Sequence, residues 1–165
     1  MTPNNNYTSS LMFGIQWDLT CKFLETRGGL KTADINSNST SWGNYNNAKI
    51  ENITSGKYAV YNGSSLGTWT TISGSYTKQD SGNDYRTLLS TGISDYTKKM
   101  NIYDFAGNEY EWTLEHATSD SNYPCAFRGG SYGSTGSSIP ASSRNLSSTT
   151  NSGTDIGFRP TLYVN

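Results

Sequence analysis

Residues 101–115, NIYDFAGNEYEWTLE, restrict what this chain can fold into more than any other stretch. Ile102, Tyr103 and Phe105 supply apolar bulk, Gly107-Asn108 is a turn dipeptide, and residues 110–114 alternate large aromatic or apolar groups with polar ones. Alternation of that kind marks a half-buried strand entered through a tight turn. Asp104, Glu109 and Glu111 set three carboxylates around the turn. Calcium takes its oxygen ligands from carboxylates and turn carbonyls, so the turn offers a cradle for a hard cation. The alternative is that Asp104 and Asn108 close the turn by bonding its backbone, with the glutamates solvated.

The flanking chain has to supply partners for that strand. Residues 11–26 read as a helix, with Thr8, Ser9 and Ser10 as cap candidates and Leu11, Ile15, Leu19 and Phe23 as an apolar stripe facing the C-terminal strands. Gly28-Gly29 stops it. Short strands are expected at 57–61 and 68–72 around the Asn62-Gly63 turn, and a second short helix at 84–90, with Leu88 and Leu89 as its contacts and Gly92 as its stop. Residues 120–124 are a polar loop. FRGGSY at 127–132 follows, where Gly129-Gly130 implies a special backbone conformation or a close approach. Residues 158–164 close the fold as a strand, with Pro160 at an edge or bulge. Arg128 and Arg159 lie among apolar neighbours and need carboxylate or carbonyl partners.

Only 33% of the 165 residues are hydrophobic and 15% charged, yet aromatics reach 13%. Disordered chains are poor in aromatics, so this is a folded, loop-rich domain with a polar surface. Residues 1–10 read as a linker entering from a larger protein and 11–165 as a single domain. A net charge of −1 gives no footprint for nucleic acid, and no apolar run suits membrane insertion or a signal peptide. Two cysteines, Cys21 and Cys125, and a lone His116 cannot build a Cys/His zinc site. Spacing leaves open whether the cysteines pair.

Taken together, NIYDFAGNEYEW, RGGSY and GFR resemble, in order, the core of the formylglycine-generating-enzyme family, a branch of the C-type-lectin-like fold. The resemblance is tight over 101–164 and loose from 11 onward; Gln16-Trp17-Asp18 adds a weaker match to the family's first helix. It implies an α+β fold with one main helix and a second short one packed on small twisted antiparallel sheets. It also implies a structural calcium held by the Asp104 and Glu111 side chains and the carbonyls of Gly107 and Glu109. Three departures stand out: Tyr110 where Trp is common, Glu109 for a small apolar residue, and Ile139-Pro140 for a Cys-Arg pair.

In the family's enzymes two cysteines shortly after RGGS carry copper-dependent oxidation. Ser134 and Ile139 hold those positions here, neither forms a thiolate, and one histidine cannot hold iron as the related sulfoxide synthases do. No copper or iron chemistry is therefore expected, and the chain reads as no enzyme. The segment 133–156, nearly all small and polar, resembles the variable region of proteins diversified by retroelements at phage tail tips and bacterial surfaces. That likeness implies a ligand-binding patch of Tyr132, Ser134, Thr135, Ser137, Ser138, Ser143 and Asn145. The implied setting is a virion or bacterial cell surface, with a protein or glycan receptor as partner. The domain would then be part of a larger fibre or surface protein, a trimer being one arrangement, and a structural cap of a fibre is the competing reading.

Overall fold

The computed structural model describes residues 7–119 and 121–164. In chain order the elements are strand β1 (Tyr7–Leu11), helices α1 (Gly14–Thr26) and α2 (Thr32–Asn36), and strands β2 (Ile50–Ile53), β3 (Lys57–Val60), β4 (Thr70–Thr71), β5 (Tyr76–Lys78) and β6 (Thr87–Leu89). Then follow β7 (Lys98–Lys99), β8 (Ile102–Tyr103), β9 (Tyr110–His116), β10 (Cys125–Arg128), β11 (Arg144–Ser147), β12 (Ile156–Phe158) and β13 (Pro160–Val164). Residues 110–114 are the strand that their alternation predicts, and β9 lies inside the sheet β11-β10-β9-β12, antiparallel to β10 and parallel to β12.

The sheet is closed at one end by an N-terminal strand that was expected to be linker. Residues 1–6 of that expected linker, and Asp120 of the expected polar loop, lie outside the described residues. Tyr7–Leu11, by contrast, pairs residue for residue with β13. The backbone amide of Leu114 then donates to Met12 O at 2.9 Å, which joins this ribbon to β9. Thr8, Ser9 and Ser10 therefore sit in a strand and cap nothing. Helix α1 starts at Gly14, with the Gln16 side chain accepting the Phe13 amide proton at 2.8 Å.

The buried face of α1 is also not the predicted stripe. Ile15 is 66% and Leu19 61% exposed, while Gly14, Trp17, Cys21 and Leu24 face inward. Trp17 decides the matter. Its ring stacks on Phe105 at 4.0 Å, and its Nε1 donates to Ala141 O at 2.9 Å. A Cβ at Gly129, where φ is +89°, would stand 2.9 Å from the same ring, so only glycine lets the sheet approach the helix this closely. The helix thus packs on the Phe105 loop and the turn after β10, with Ile35, Trp42, Tyr45 and Ala48 completing the core.

A smaller layer holds β4-β3-β6 and β2-β5 around Ile50, Ile53, Ile72 and Leu89, with Tyr58 stacked on Tyr76 at 4.0 Å. The hairpin around Asn62-Gly63 forms as expected, the Asn62 side chain accepting the amides of Ser64 and Ser65. Residues 84–90 are not a helix. Thr87, Leu88 and Leu89 are all buried, a pattern that a strand covered on both faces allows and one helix face does not, and the second helix is α2 instead. Lys78 is fully buried in this layer, its Nζ donating to the carbonyls of Tyr45 and Ala48 at 2.6 Å each, and burial pushes its pKa down to about 8.

Truncating the two faces of α1 separates the alternatives. Trp17→Ala is expected to cost about 3–5 kcal/mol as a buried aromatic, and Leu19→Ala to stay within about 0.5 kcal/mol as an exposed residue. Urea denaturation followed by circular dichroism measures both.

Candidate functional site

The turn after β10 builds a cleft. Gly129 and Gly130 adopt φ of +89° and +78°, which reverses the chain and returns Ser131 and Tyr132 beside the start of β9. Asn108 secures that return. Its carbonyl accepts the Tyr132 amide at 2.9 Å, and its side chain bonds both the amide and the carbonyl of Leu89 at 3.1 Å. Asn108 and Asp104 do bond backbone, as one reading of the sequence held, but the backbone of other segments. The Asp104 carboxylate accepts the Gly92 amide at 2.8 Å.

The resulting cleft has a volume of about 270 Å³ and a polar wall. Tyr110 and Ser134 share a hydroxyl hydrogen bond of 3.0 Å across its floor, and Tyr132 shares one of 3.2 Å with Thr154. Ser131 Oγ donates to Asp155 Oδ2 at 3.2 Å. Burial raises the pKa of Tyr110 and Tyr132, so both phenols stay neutral O–H groups. Tyr61 faces Tyr132 at a ring distance of 6.4 Å and a tilt of 55°. Arg86 completes the wall, its guanidinium 5.2 Å from the Tyr85 ring.

The expected binding residues divide into three groups. Tyr132 and Ser134 line the cleft, although Tyr132 is 2% exposed and is an anchored wall, where the resemblance implied a solvent-facing contact. Thr135, Ser137 and Ser138 form a self-bonded turn outside it, in which Thr135 Oγ1 donates to Ser138 Oγ at 2.8 Å. Ser143 precedes β11 and Asn145 lies on it, opposite Phe127 of β10. Sequence reasoning missed Tyr61, Arg86 and Asp155 as a set. No spacing links them, because β3, β6 and the segment before β12 meet only in three dimensions.

The residues expected to hold calcium are engaged otherwise. Arg159 donates from Nε to Glu111 Oε2 at 2.9 Å and from Nη2 to Glu111 Oε1 at 2.7 Å, and the same Nη2 reaches Tyr103 O at 3.0 Å. Gly107 adopts φ of +70° and donates its amide to Gly129 O. Glu109 is half-buried, its carboxyl raised by burial and by the charges of Asp155 and Asp104. Asp104, Glu109 and Glu111 do line a common hollow, but Arg159 lines it with them. Among the described residues no three acidic, His or Cys side chains gather as a metal site. A guanidinium on both oxygens of Glu111 would stand against a divalent ion sharing that carboxylate, so this donor set does not fit calcium.

Nor do the residues present fit copper. Ser134 lies in the cleft and donates no thiolate, and Ile139 contributes its carbonyl to the packing against Gly130. Both cysteines are free thiols, and neither lines the cleft. Burial pushes the Cys21 thiol up to about 12, which keeps it protonated.

The family model of the sulfatase-modifying factor enzyme 1-like domain matches residues 16–162. Comparison with curated proteins and with solved structures gives no significant match to either.

Removing divalent cations with a chelator is expected to move the midpoint of thermal unfolding by less than about 1 °C. Arg159→Met, which strands Glu111 as a buried charge, is expected to cost about 3–5 kcal/mol. A large rise in midpoint on adding calcium would show that a cation occupies the turn after all.

Proposed function

Since the chain belongs to the sulfatase-modifying factor enzyme 1-like family, we propose that it is a binding member of that family, holding its ligand in the cleft between Tyr61, Tyr110 and Tyr132. One observation carries this reading: the positions where the resemblance places catalytic cysteines hold Ser134 and Ile139, while the cleft around Ser134 remains, walled by neutral hydroxyls. Hydroxyls and tyrosine rings are groups of recognition, adaptable in hydrogen bonding and low in ordering cost. The turn of Thr135 with the exposed Ser137 and Ser138, and Ser143 and Asn145 on the β11 side, extends the contact surface beyond the cleft.

The proposed setting is the surface of a phage tail fibre or of a bacterial cell, where the domain meets a protein or glycan receptor. The likeness of 133–156 to retroelement-diversified regions supports it. Substitution there is compatible with the scaffold, because Ser137 and Ser138 are exposed and bond only within their own turn.

The test is binding to a glycan array and to a panel of bacterial surfaces. Tyr61→Ala at the cleft wall is expected to weaken retention about tenfold or more, as loss of a contact aromatic does. Ser137→Ala is expected to leave stability unchanged within about 0.5 kcal/mol. Copper-loaded protein is expected to consume no oxygen with a cysteine-containing peptide. Turnover in that assay would overturn the reading in favour of an oxidase.

A further inference from the structure

We propose that the cleft selects a carboxylate-bearing sugar, with Arg86 holding the carboxylate and Asp155 accepting a ring hydroxyl. This inference rests on the binding role proposed above and names its ligand class.

The observation behind it is the cationic side chain that lines the cleft. Arg128 and Arg144 both engage Asp18, and Arg159 engages Glu111. Arg86 lines the cleft with no carboxylate partner among the described residues, and its Nε, like that of Arg128, has no hydrogen bond there. A guanidinium presents a planar fork of donors suited to a carboxylate, so a ligand that supplies one answers a charge left without a carboxylate among the described residues. The backbone holds this residue in place, since the Tyr61 amide donates to the Arg86 carbonyl at 2.8 Å.

Asp155 narrows the choice. It lines the same cleft, yet no ion pair joins it to Arg86. Its Oδ2 is taken by Ser131 and its Oδ1 accepts nothing among the described residues. Phosphate, sulfate or a nucleic-acid backbone would satisfy Arg86 and then meet the charge of Asp155. A sugar acid carries one anionic group and several hydroxyl donors, and so matches both ends. The remaining wall is neutral hydroxyl, from Tyr110, Ser134, Tyr132 and Thr154, which suits a polyol. A volume of about 270 Å³ lies below the usual small-molecule range of ~300–1,000 Å³, enough for one terminal sugar.

The experiment uses the whole chain with immobilised oligosaccharides ending in glucuronic acid or sialic acid, beside the same chains ending in glucose or galactose. One acid terminus is expected to bind at least about tenfold tighter than its neutral counterpart, since a charge-assisted hydrogen bond is worth about 1.5–3 kcal/mol. Arg86→Gln should abolish that preference, Arg86→Lys should keep part of it, and Asp155→Ala, which removes the hydroxyl acceptor, should weaken the bound acid terminus, with circular dichroism confirming the fold of each. Equal or tighter binding of neutral sugars, a preference that survives Arg86→Gln, or binding of acidic peptides or free amino acids alone overturns the inference. If those other ligands still depend on Tyr61, the cleft remains the binding site and only the ligand class fails. If all binding survives Tyr61→Ala and Arg86→Gln together, the binding role of the cleft fails with it.

Discussion

Asn108 uses every polar atom it has, and much of the structure depends on that. Its amide donates to Asn44 O at 2.8 Å and its carbonyl accepts the Tyr132 amide at 2.9 Å. Its side-chain oxygen accepts from Asn44 Nδ2 and from the Leu89 amide, and its side-chain nitrogen donates to Leu89 O. The residue is buried, in the left-handed region at φ of +65°, a conformation that asparagine tolerates better than most. One side chain thus continues the edge of β6, ties down the loop at 44 and fixes the wall of the cleft. Each of those buried groups would cost about 1–3 kcal/mol if left unpaired.

Around that node the protein uses cationic side chains where loops need holding. Lys78 gathers the carbonyls of Tyr45, Ala48 and Gln79. Arg159 gathers Glu111 with the carbonyls of Tyr103 and Asp104, and Arg128 gathers Asp18 with Ser142 O. A covalently attached cation does for irregular backbone what a bound metal ion does elsewhere, and its position is set by the fold that it supports. Arg86 lines the cleft instead, with no carboxylate among the described residues to answer it.

The cleft is held by bonds of the same kinds. Its floor belongs to β9 and to the double-glycine turn, both held by backbone bonds, and the Tyr110 and Tyr132 hydroxyls are already bonded to Ser134 and Thr154. The segment beyond Tyr132 is anchored at intervals, as where the Asn46 amide donates to Ser134 O, while Ser137 and Ser138 stay outside. A firm pocket beside an adaptable polar turn separates the cost of ordering a ligand from the freedom to vary its surroundings.

The strand at 110–114, the Asn62-Gly63 hairpin, the positive φ at Gly129-Gly130 and the absence of thiols at 134 and 139 were legible in the sequence, and so was the family. These are local facts: alternation, turn chemistry and side-chain identity act over a few neighbouring residues. The buried face of α1 was not legible, because Ile15, Leu19 and Phe23 repeat at helical spacing as well as Trp17, Cys21 and Leu24 do. Only Phe105, Gly129 and Ala141 choose between the two faces. The strand at Tyr7–Leu11 needed β13 to exist, and Glu111 needed Arg159, 48 residues away, to become an ion-pair partner. The meeting of Tyr61, Arg86 and Asp155 was likewise decided by tertiary structure. Burial and pairing are properties of what approaches from elsewhere in the chain, and spacing along the sequence carries no record of that approach.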